Sequence, residues 1–428
     1  MATPIATSQT ILVVGGGISG MTAALEAAEC GKQVILVEKS PTLGGRTALM
    51  YRYFPKLCHP ICGLEINLRR LKGNRNVRVL TLAEVSKISG TRGNYAVTLN
   101  VAPRYINENC TACGECAKAV TKEIPNPYNY GLNQMKVAYL PHKMAYPLRY
   151  VLDPSAIGTA DADAARAACK YDAIDLNMQR EAVELTVGAV IWATGWKPYD
   201  AAKIQPYGYD RYPNVITSLE FERMADLHGP TGGKILRPSD GKEAKNIAFI
   251  QCAGSRDENH LRHCSRICCM ASLKQTQYVR EAYGADGKST IYYIDIRAID
   301  RFEDFYLKVQ NDPTVSFVKS KVARIAQDGN SGDLTLHGVD TEGYHRYANV
   351  HDLVVLAIGM EPAVKGVDIP AEIIADSSGF LESAPGGSIF GAGCASGPLD
   401  VNRSVQHATA AALRAIQVVN KSASTEAS

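Results

Sequence analysis

The sequence lacks a large charge imbalance, a long apolar run and an export signal. Its 46 basic and 43 acidic residues leave a net charge of +3, and no basic block stands out, which argues against nucleic acid as the main partner. No apolar stretch reaches the roughly 18 residues that span a membrane. The first nine residues, MATPIATSQ, contain neither the charged region nor the apolar region of a signal peptide. We therefore expect a cytoplasmic protein.

Histidine is also scarce, with nine residues in 428, and these form neither a Ser-His-Asp set nor a His-rich metal motif. Cysteine is not scarce, because the chain contains twelve. A chain of this length without an export signal rarely uses cysteines as a disulfide framework, so metal or redox chemistry is expected. The length allows two or three domains and a large core.

The strongest local signal is a dinucleotide-binding motif near the N-terminus. A β-branched strand at Ile11–Val14 leads into Gly15, Gly17 and Gly20, which have the spacing G-x-G-x-x-G. An alanine-rich helical pattern and a second strand follow, and this strand ends at Glu38. The glycines permit a tight turn, close approach of a pyrophosphate and close packing of helix on strand, and the acidic residue suits ribose hydroxyls. The pyrophosphate would lie at the helix N-terminus.

The stretch EKSPTLGGRT favours FAD as the dinucleotide, because a glycine pair and Arg46 follow the acidic residue. It resembles the two-dinucleotide-fold flavoproteins of the thioredoxin reductase type. Three later stretches resemble the same family: GAVIWATGWKP, VVLAIGMEP and GSIFGAGCASGPLDVNRSVQHATAAALRA. The family commonly has an aspartate where this chain has Cys394. The resemblance implies FAD contacts from Gly15, Gly17, Ser19, Gly20, Glu38, Lys39, Gly44, Gly45, Arg46, Val85, Ala193, Thr194, Gly195, Gly359, Gly393, Cys394 and Val401.

A second motif, NENCTACGECAKAV, places Cys110, Cys113 and Cys116 in C-x-x-C-x-x-C spacing, which resembles a bacterial ferredoxin. The fourth cysteine of that pattern is replaced by Val120, but Cys169 stands where the second ferredoxin run would end. These four cysteines could ligate one [4Fe–4S] cluster. A ferredoxin relic without metal and a zinc site remain alternatives. Strand-like stretches on either side predict that this piece interrupts a β-hairpin.

The stretch QCAGSRDENHLRHCSRICCM lies where a second dinucleotide motif is expected. KNIAFI before it and YYIDIRA after it both predict strands, but only Gly254 stands at the turn. Instead the stretch contains four cysteines: Cys252, Cys264, Cys268 and Cys269. Four thiolates on a turn and a helix start suit a [4Fe–4S] cluster. Adjacent cysteines do not readily form a relaxed disulfide, and buried structural thiols are the alternative.

The combination of QCAGSR with CSRICCM resembles the A subunit of heterodisulfide reductases, and the resemblance extends from about Thr10 to Val418. The chain resembles the short forms of this subunit, which occur in the heterodisulfide reductase-like complex of sulfur oxidisers and in the quinone-interacting membrane-bound oxidoreductase. The resemblance implies an electron-transfer homodimer that carries FAD and one or two [4Fe–4S] clusters, with B and C subunits as partners. It also implies that Lys274 lies near flavin N5, whereas a solvated helix lysine is the alternative.

Two rival functions stay open. One is a stand-alone NAD(P)H-dependent flavin disulfide reductase that uses Cys58 and Cys62, although the missing glycines argue against it. The other is a scaffold protein that retains FAD for its structure. For these two cysteines, unused thiols are the simpler interpretation, and Cys30 is expected to pack on its helix.

The predicted fold is α/β, with a thioredoxin reductase-like pair of dinucleotide folds and a small ferredoxin-like insertion. The FAD domain is predicted in three parts, at residues 1–104, 184–241 and 354–428, the last with a C-terminal tail. Residues 105–183 form the insertion. Residues 242–353 form a degenerate NAD(P)H-type domain that carries an iron–sulfur site.

Overall fold

The computed structural model describes residues 6–365 and 373–426. The strands are β1 (Ile11–Val14), β2 (Val34–Glu38), β3 (Val77–Thr81), β4 (Ala83–Thr91), β5 (Asn94–Val101), β6 (Glu123–Pro125), β7 (Gln134–Lys136), β8 (Ala138–Tyr139), β9 (Val151–Leu152), β10 (Glu181–Val187), β11 (Ala189–Trp192), β12 (Trp196–Pro198), β13 (Val215–Thr217), β14 (Asn246–Ala253), β15 (Lys288–Tyr293), β16 (Val315–Lys319), β17 (Arg324–Gln327), β18 (Leu334–Asp340), β19 (His345–His351), β20 (Leu353–Ile358), β21 (Met360–Pro362), β22 (Ile373–Ala375), β23 (Leu381–Ser383) and β24 (Ile389–Gly391). The α-helices are α1 (Ile18–Glu29), α2 (Ile61–Gly73), α3 (Glu115–Ala119), α4 (Ala160–Ala168), α5 (Ser218–Ala225), α6 (Cys268–Tyr283), α7 (Phe302–Gln310) and α8 (Val401–Glu426).

The chain folds into two compact units. The first comprises Met1–Ala48, Ile61–Trp196 and Pro362–Ser428, and the second comprises Leu49–Pro60 and Lys197–Glu361. The second unit therefore begins earlier than the predicted residue 242. The physical reason is that β13 pairs in parallel with β20, so the segment that carries it joins the second sheet.

The first unit is built on a parallel sheet of order β24-β11-β1-β2-β3. Side chains alternate along β1, as the period of a strand requires. Ile11 and Val13 pack in one core with apolar residues of α1, α2 and α8. Leu12 and Val14 pack in another core, with apolar residues of the antiparallel sheet β10-β5-β4. The sheet thus has helices on one face and a β-meander on the other, and the predicted α/β fold is confirmed.

The insertion lies between β5 and β10. These strands pair with each other in antiparallel fashion, from Val101 opposite Glu181 to Tyr95 opposite Val187, so the predicted interruption of a hairpin is confirmed. An isolated bridge between Ile106 and Ile174 closes the base of the insertion. The insertion has its own core, formed by Ile106, Cys116, Val120, Val137, Ala138, Leu152, Ala156, Ala162, Ala165, Ala173 and Ile174. It therefore folds around its own apolar residues.

The second unit contains a parallel sheet of order β13-β20-β14-β15-β16 and an antiparallel sheet of order β17-β18-β19. The predicted strand KNIAFI matches β14 except for Lys245, since the strand begins at Asn246. The prediction for YYIDIRA was partly wrong, because β15 starts at Lys288 and ends at Tyr293. Tyr293 makes the last pair with β16, so the residues after it leave the sheet. Among the described residues, no helix is long and apolar enough to cross a membrane.

Candidate functional site

The turn between β1 and α1 requires its glycines. Gly15 has φ +106°, and a Cβ there would lie 2.4 Å from the carbonyl oxygen of Ala193. A Cβ on Gly20 would lie 1.7 Å from the carbonyl oxygen of Gly15. Gly17 caps α1 without a side-chain hydrogen bond, so the first-turn N–H groups have no side-chain cap. This arrangement suits a pyrophosphate at the helix N-terminus.

A second glycine loop meets the first. The N–H of Gly44 donates to the carbonyl oxygen of Gly16 at 2.9 Å, and a Cβ on Gly45 would lie 3.0 Å from Cα of Gly17. The carboxylate of Glu38 accepts from the N–H of Gly16 at 2.6 Å and from the N–H of Ser40 at 2.7 Å. The structure thus brings together the predicted glycines and the predicted acidic residue at the ends of β1 and β2.

The end of β11 completes this cradle. Ala193 donates its N–H to the carbonyl oxygen of Val14 at 2.7 Å, and Gly195 has φ +71°. The hydroxyl of Thr194 is buried and has no hydrogen-bond partner within the described part of the chain. A buried hydroxyl without a partner is rare in native proteins, and a bound ligand would supply one. The predicted FAD residues therefore fit the cofactor at this edge of the sheet.

Arg46 is held in place by other groups of the first unit. Its Nε donates to the carbonyl oxygen of Trp196 at 2.9 Å, and its Nη1 donates to the hydroxyl of Tyr130 at 3.3 Å. The guanidinium also lies 4.8 Å from the centre of the Trp196 ring. Tyr130 belongs to the insertion, and no sequence motif indicated this contact.

The loop before α8 brings three more predicted residues together. Gly393 has φ +61°, and a Cβ there would lie 1.9 Å from Oγ of Ser19. The thiol of Cys394 donates to the carbonyl oxygen of Leu399 at 3.2 Å, and burial raises its pKa. Val401 is the first residue of α8.

Three of the predicted FAD residues are not among the residues that form the glycine turns and the end of β11. The side chain of Lys39 is 78% exposed and pairs with Glu84 at 3.4 Å. Val85 is partly buried on β4, where the pairing register with β5 shifts. Gly359 belongs to the second unit, where a Cβ on it would lie 2.4 Å from Oγ of Ser255. Gly359, between β20 and β21, therefore packs against the cysteine-containing connection from β14 to α6.

The connection from β14 to α6 carries the four predicted cysteine ligands. Cys252 has φ +56° at the end of β14, and Cys268 and Cys269 open α6. The thiol of Cys268 lies 3.8 Å from the carbonyl oxygen of Ile358, and that of Cys269 lies 3.7 Å from the carbonyl oxygen of Asp295. Burial raises the pKa of Cys268 well above its ordinary value and the pKa of Cys269 to about 12.

The four thiols also influence one another. Cys252 and Cys264 add to the rise in the pKa of both Cys268 and Cys269, after the larger effect of burial. The amide of Gln251, beside Cys252, is buried with neither its oxygen nor its nitrogen hydrogen-bonded within the described residues. A buried amide without a partner is rare in native proteins and fits a site that a bound group completes.

Hydrogen bonds that the sequence did not indicate hold this connection. The hydroxyls of Ser255 and Ser265 lie 2.7 Å apart, and Ser265 accepts from the N–H of Met360 at 2.8 Å. Arg256 pairs with Asp295 at 2.6 Å. These bonds join residues ten or more positions apart, and none of them follows from a local sequence pattern.

The insertion gathers the other four cysteines. Cys110, Cys113, Cys116 and Cys169 all line one pocket, whose volume is about 320 Å³ with the solvent space at its mouth. Burial raises the pKa of Cys116 to about 11, and its three partner cysteines contribute to that rise. Tyr150 also lines the pocket. The structure therefore brings together the residues that the broken ferredoxin motif singled out.

Neither set of thiols is arranged for a single ion: among the described residues, no three His, Cys, Asp or Glu side chains are placed to hold one metal ion. A [4Fe–4S] cluster binds one thiolate at each iron, so its ligands stand farther apart than those of a lone Zn²⁺. The residue types and their number suit a [4Fe–4S] cluster, and the zinc site stays the alternative prediction.

Lys274 lies on α6 and is almost completely buried, with 1% of its surface exposed. Lys274 is therefore not a solvent-exposed lysine on the surface of the helix. Its ammonium lies 2.7 Å from Oε1 of Glu222 and donates to the carbonyl oxygen of Arg52 at 2.7 Å. The Glu222 carboxylate also accepts from the N–H of Tyr51 at 3.0 Å and from the hydroxyl of Tyr278 at 3.2 Å. Burial lowers the pKa of Lys274, and Glu222 opposes that shift.

All the cysteines of the chain are free thiols. Cys30 follows the last residue of α1 and is exposed, so the expectation that it packs on the helix was wrong. Cys58 and Cys62 are exposed as well. Exposed free thiols leave both interpretations of this pair open.

Comparisons with known proteins first define the class. Residues 10–65 match the family model of FAD dependent oxidoreductases. Thioredoxin reductase from T. acidophilum has a similar structure, with a TM-score of 0.52 at 14% identity over 96% of this chain and 98% of that one. The protein therefore has a thioredoxin reductase-like fold, and its N-terminal segment is similar to FAD dependent oxidoreductases.

Sequence relatives then narrow the class. The chain is 39% identical over 94% of its length to the second iron-sulfur A subunit of the CoB–CoM heterodisulfide reductase of Methanopyrus kandleri, and covers 63% of it. It is 35% identical over 97% of its length to the A subunit of the H₂:CoB–CoM heterodisulfide,ferredoxin reductase of Methanothermobacter marburgensis, and covers 64% of it. The chain is thus homologous to the A subunit of heterodisulfide reductases over nearly its whole length. It spans less than two thirds of the length of these relatives.

Proposed function

We propose that this protein is the FAD and [4Fe–4S] electron-transfer subunit of a heterodisulfide reductase-like complex in sulfur metabolism. The observation that carries the proposal is the connection between β14 and α6. Four thiols occupy it, in the place where a nucleotide-binding turn would have spaced glycines. The homology to proteins named as iron-sulfur subunits of heterodisulfide reductase supports the assignment.

The chemistry would be divided between the cofactors and the chain. A bound flavin exchanges one or two electrons, and iron–sulfur clusters exchange one, so together they can pass electrons between carriers of different kinds. The glycine turns and Glu38 would bind the FAD. The cysteines of the β14–α6 connection would ligate one cluster, and those of the insertion a second. We further propose a cytoplasmic homodimer with B and C partner subunits, which would carry out the chemistry on the sulfur substrate.

A stand-alone NAD(P)H-dependent disulfide reductase is the second candidate, in which the exposed thiols of Cys58 and Cys62 would be the redox pair. The turn after β14 argues against it. A Cβ on Gly254 would lie 2.3 Å from the ring of Tyr199, so this ring fills the space above the turn. A pyrophosphate needs close approach to the backbone at this point.

Iron and flavin contents test the proposal. Cys268→Ser and Cys269→Ser should each lose one cluster, measured as iron, acid-labile sulfide and the electron paramagnetic resonance signal of the reduced protein, while FAD remains. Cys113→Ser should lose only the other cluster. Cys30→Ser, which alters an exposed thiol, is the matched control. Full iron in both the Cys268 and the Cys269 variants would show that the assignment of this site is wrong.

The electron donor separates the two candidate functions. Hydride transfer requires the nicotinamide to approach flavin N5 to about 3–3.5 Å. Because the Tyr199 ring fills the space above the turn after β14, stopped-flow mixing with excess NADH or NADPH should leave the flavin oxidised on the seconds scale. Dithionite should reduce flavin and clusters. Rapid, saturable bleaching by either nicotinamide would reject the proposed function in favour of the disulfide reductase.

A further inference from the structure

The insertion packs against the second glycine loop of the first unit. The N–H of Leu43 donates to the carbonyl oxygen of Tyr146 at 3.0 Å, and the N–H of Tyr146 donates to Oγ1 of Thr42 at 2.9 Å. Met144 and Tyr146 also pack against the core that α1, α2 and α8 form with the sheet. A segment of the insertion therefore lies along the loop that follows β2.

Arg104 joins the same two parts of the molecule from the inside. It is 7% exposed, and its guanidinium donates to the carbonyl oxygen of Pro41 and, at 2.9 Å, to Oγ1 of Thr81. The other end of the guanidinium donates to the carbonyl oxygens of Arg149 at 3.4 Å and Tyr150 at 3.5 Å. Because the group is rigid and planar, a shift of either set of acceptors must be followed by the other or break these bonds.

Tyr150 links this contact to the cysteine pocket. Its side chain lines the pocket, and a Cβ on Gly114, the residue between Cys113 and Glu115, would lie 3.1 Å from its hydroxyl. Its carbonyl is one of the acceptors of Arg104. One residue therefore touches both the cysteine pocket and the buried guanidinium.

The outer end of the loop is held by the insertion as well, because the Tyr130 hydroxyl accepts from Arg46 at 3.3 Å. Tyr130 lies in the left-handed region, with φ +53°, at the end of the short helical turn Pro127–Asn129. This turn places the hydroxyl on the Arg46 guanidinium. Arg46, at one end of the loop, thus contacts the insertion directly, and Pro41, at the other end, is linked to it through Arg104.

We propose that the insertion contributes to FAD binding, because Arg104 and Tyr130 position the loop Pro41–Arg46 of the dinucleotide site. The affinity for FAD then depends on the insertion being folded around its four cysteines. The inference rests on the proposed function for the identity of the two cofactors. Arg104 and Tyr130 are positioning residues. Coupling between two binding sites is reciprocal, so FAD must strengthen iron binding in the insertion by the same factor by which iron strengthens FAD binding.

Dissociation constants of FAD from the isolated protein test this inference. Tyr130→Phe removes one hydrogen bond to a charged group and should weaken FAD binding roughly three- to tenfold, with unchanged iron content. Cys113→Ser, which removes the insertion cluster, should weaken FAD binding in the same direction. Tyr207→Phe is the matched control, because its hydroxyl bonds to the carbonyl oxygen of Val322 at 3.2 Å within the second unit.

Reciprocity gives a readout that a merely structural role would not change. A chelator should remove iron from the insertion more slowly when FAD is bound, as measured by the spectroscopic signal of the cluster. Arg104→Lys should abolish this difference in rate. Tyr130→Phe serves the same test if the Arg104 variant fails to fold. Unchanged FAD affinity in Tyr130→Phe and Cys113→Ser, with wild-type protein that holds both cofactors, would overturn the inference and leave the proposed function standing. Wild-type protein without iron would overturn the proposed function.

Discussion

The ammonium of Lys274 shows how one buried charge is balanced by named groups. It is paired with Glu222, and the same carboxylate is bonded to Tyr51, Gln275 and Tyr278. Removing one partner of a buried ion pair leaves the other charge without compensation and costs about 3–5 kcal/mol. The stability of α6, which carries Cys268 and Cys269 at its start, is therefore tied to this pair.

Lys274→Met should lower the free energy of unfolding by about 3–5 kcal/mol, because the buried Glu222 carboxyl would lose its ionic partner. If Lys274 also lies near flavin N5, the variant should lower the flavin potential and destabilise the reduced anion. The double variant Lys274→Met with Glu222→Gln separates the effects: denaturant titration should show recovered stability, while the flavin potential stays lowered. An unchanged potential in both variants would remove the flavin role from Lys274.

His351 is a second buried group with a defined electrostatic state. Its Nδ1 lies 3.0 Å from Oδ1 of Asn246, and its Nε2 lies 2.9 Å from the hydroxyl of Tyr292. The Tyr292 hydroxyl accepts from Asn349 at 2.9 Å, so it can donate to Nε2 while Nδ1–H donates to Asn246. Burial lowers the pKa of His351 from 6.5 to about 4. The folded protein thus holds this imidazole neutral.

Stability should fall as the pH is lowered from about 6.5 to 4. In this range the unfolded chain binds a proton at His351 and the folded protein does not, so the folded state loses up to about 3 kcal/mol of stability. The contribution is fully present above pH 6.5. Urea unfolding of wild type and His351→Gln across this range measures it as the difference between the two proteins. Parallel pH profiles would contradict the assignment.

At the scale of the element, the segment of β1, α1 and β2 shows how the sequence determines the geometry of the dinucleotide site. Close packing of α1 on β1 depends on Gly20, since a Cβ there would overlap the Gly15 carbonyl at 1.7 Å. Gly31, which follows the end of α1, also has a left-handed conformation, with φ +79°, but nothing lies within 4 Å of its Cβ position. The two glycines therefore serve different purposes.

Gly20→Ala should weaken FAD binding by at least roughly tenfold, because α1 must move away from the turn that would hold the pyrophosphate. Gly31→Ala should cost about 1 kcal/mol of stability for the left-handed backbone, with FAD binding retained. Flavin content after purification and the FAD dissociation constant check both variants. Equal FAD binding in the two would contradict the role of the turn.

The same segment shows what a sequence can predict. The bounds of β1, α1 and β2 follow from a contiguous pattern of apolar residues and glycines. Seven of the eight cysteines predicted as cluster ligands stand in two short stretches of sequence, which is why the pattern singled them out. Arg104 and Tyr130 were not found, since their partners lie in other segments of the chain. The end of β15 was misplaced because apolar residues continue beyond Tyr293, whereas pairing with β16 ends there.

At the scale of the whole molecule, the insertion is closed at its base and has its own core. Val101 and Glu181, the residues that flank it, are opposite each other in the antiparallel pair of β5 and β10. A hairpin with adjacent ends can be closed by a short turn as well as by a long insertion. The fold of the first unit therefore does not depend on the insertion for strand pairing.

Replacing residues 105–178 by a short glycine-containing turn should leave a folded protein, as circular dichroism and a cooperative thermal transition would show. It should lose one cluster and bind FAD more weakly, because the contacts to Thr42, Leu43 and Arg46 are removed. A molecule that no longer folds would show that the parallel sheet of the first unit needs the insertion. Unchanged FAD affinity would count against the coupling proposed above.

The short segment Leu49–Pro60 has a consequence for how such a protein could have been assembled and how it can be dissected. It belongs to the second unit, although it lies in sequence within the first. The N–H of Tyr51 and the carbonyl oxygen of Arg52 complete the shell around Glu222 and Lys274. A gene fragment for Lys197–Glu361 alone would leave that buried pair short of partners. Residues 197–361 therefore cannot be transferred alone into another protein. Recombination or domain grafting must include residues 49–60 as well.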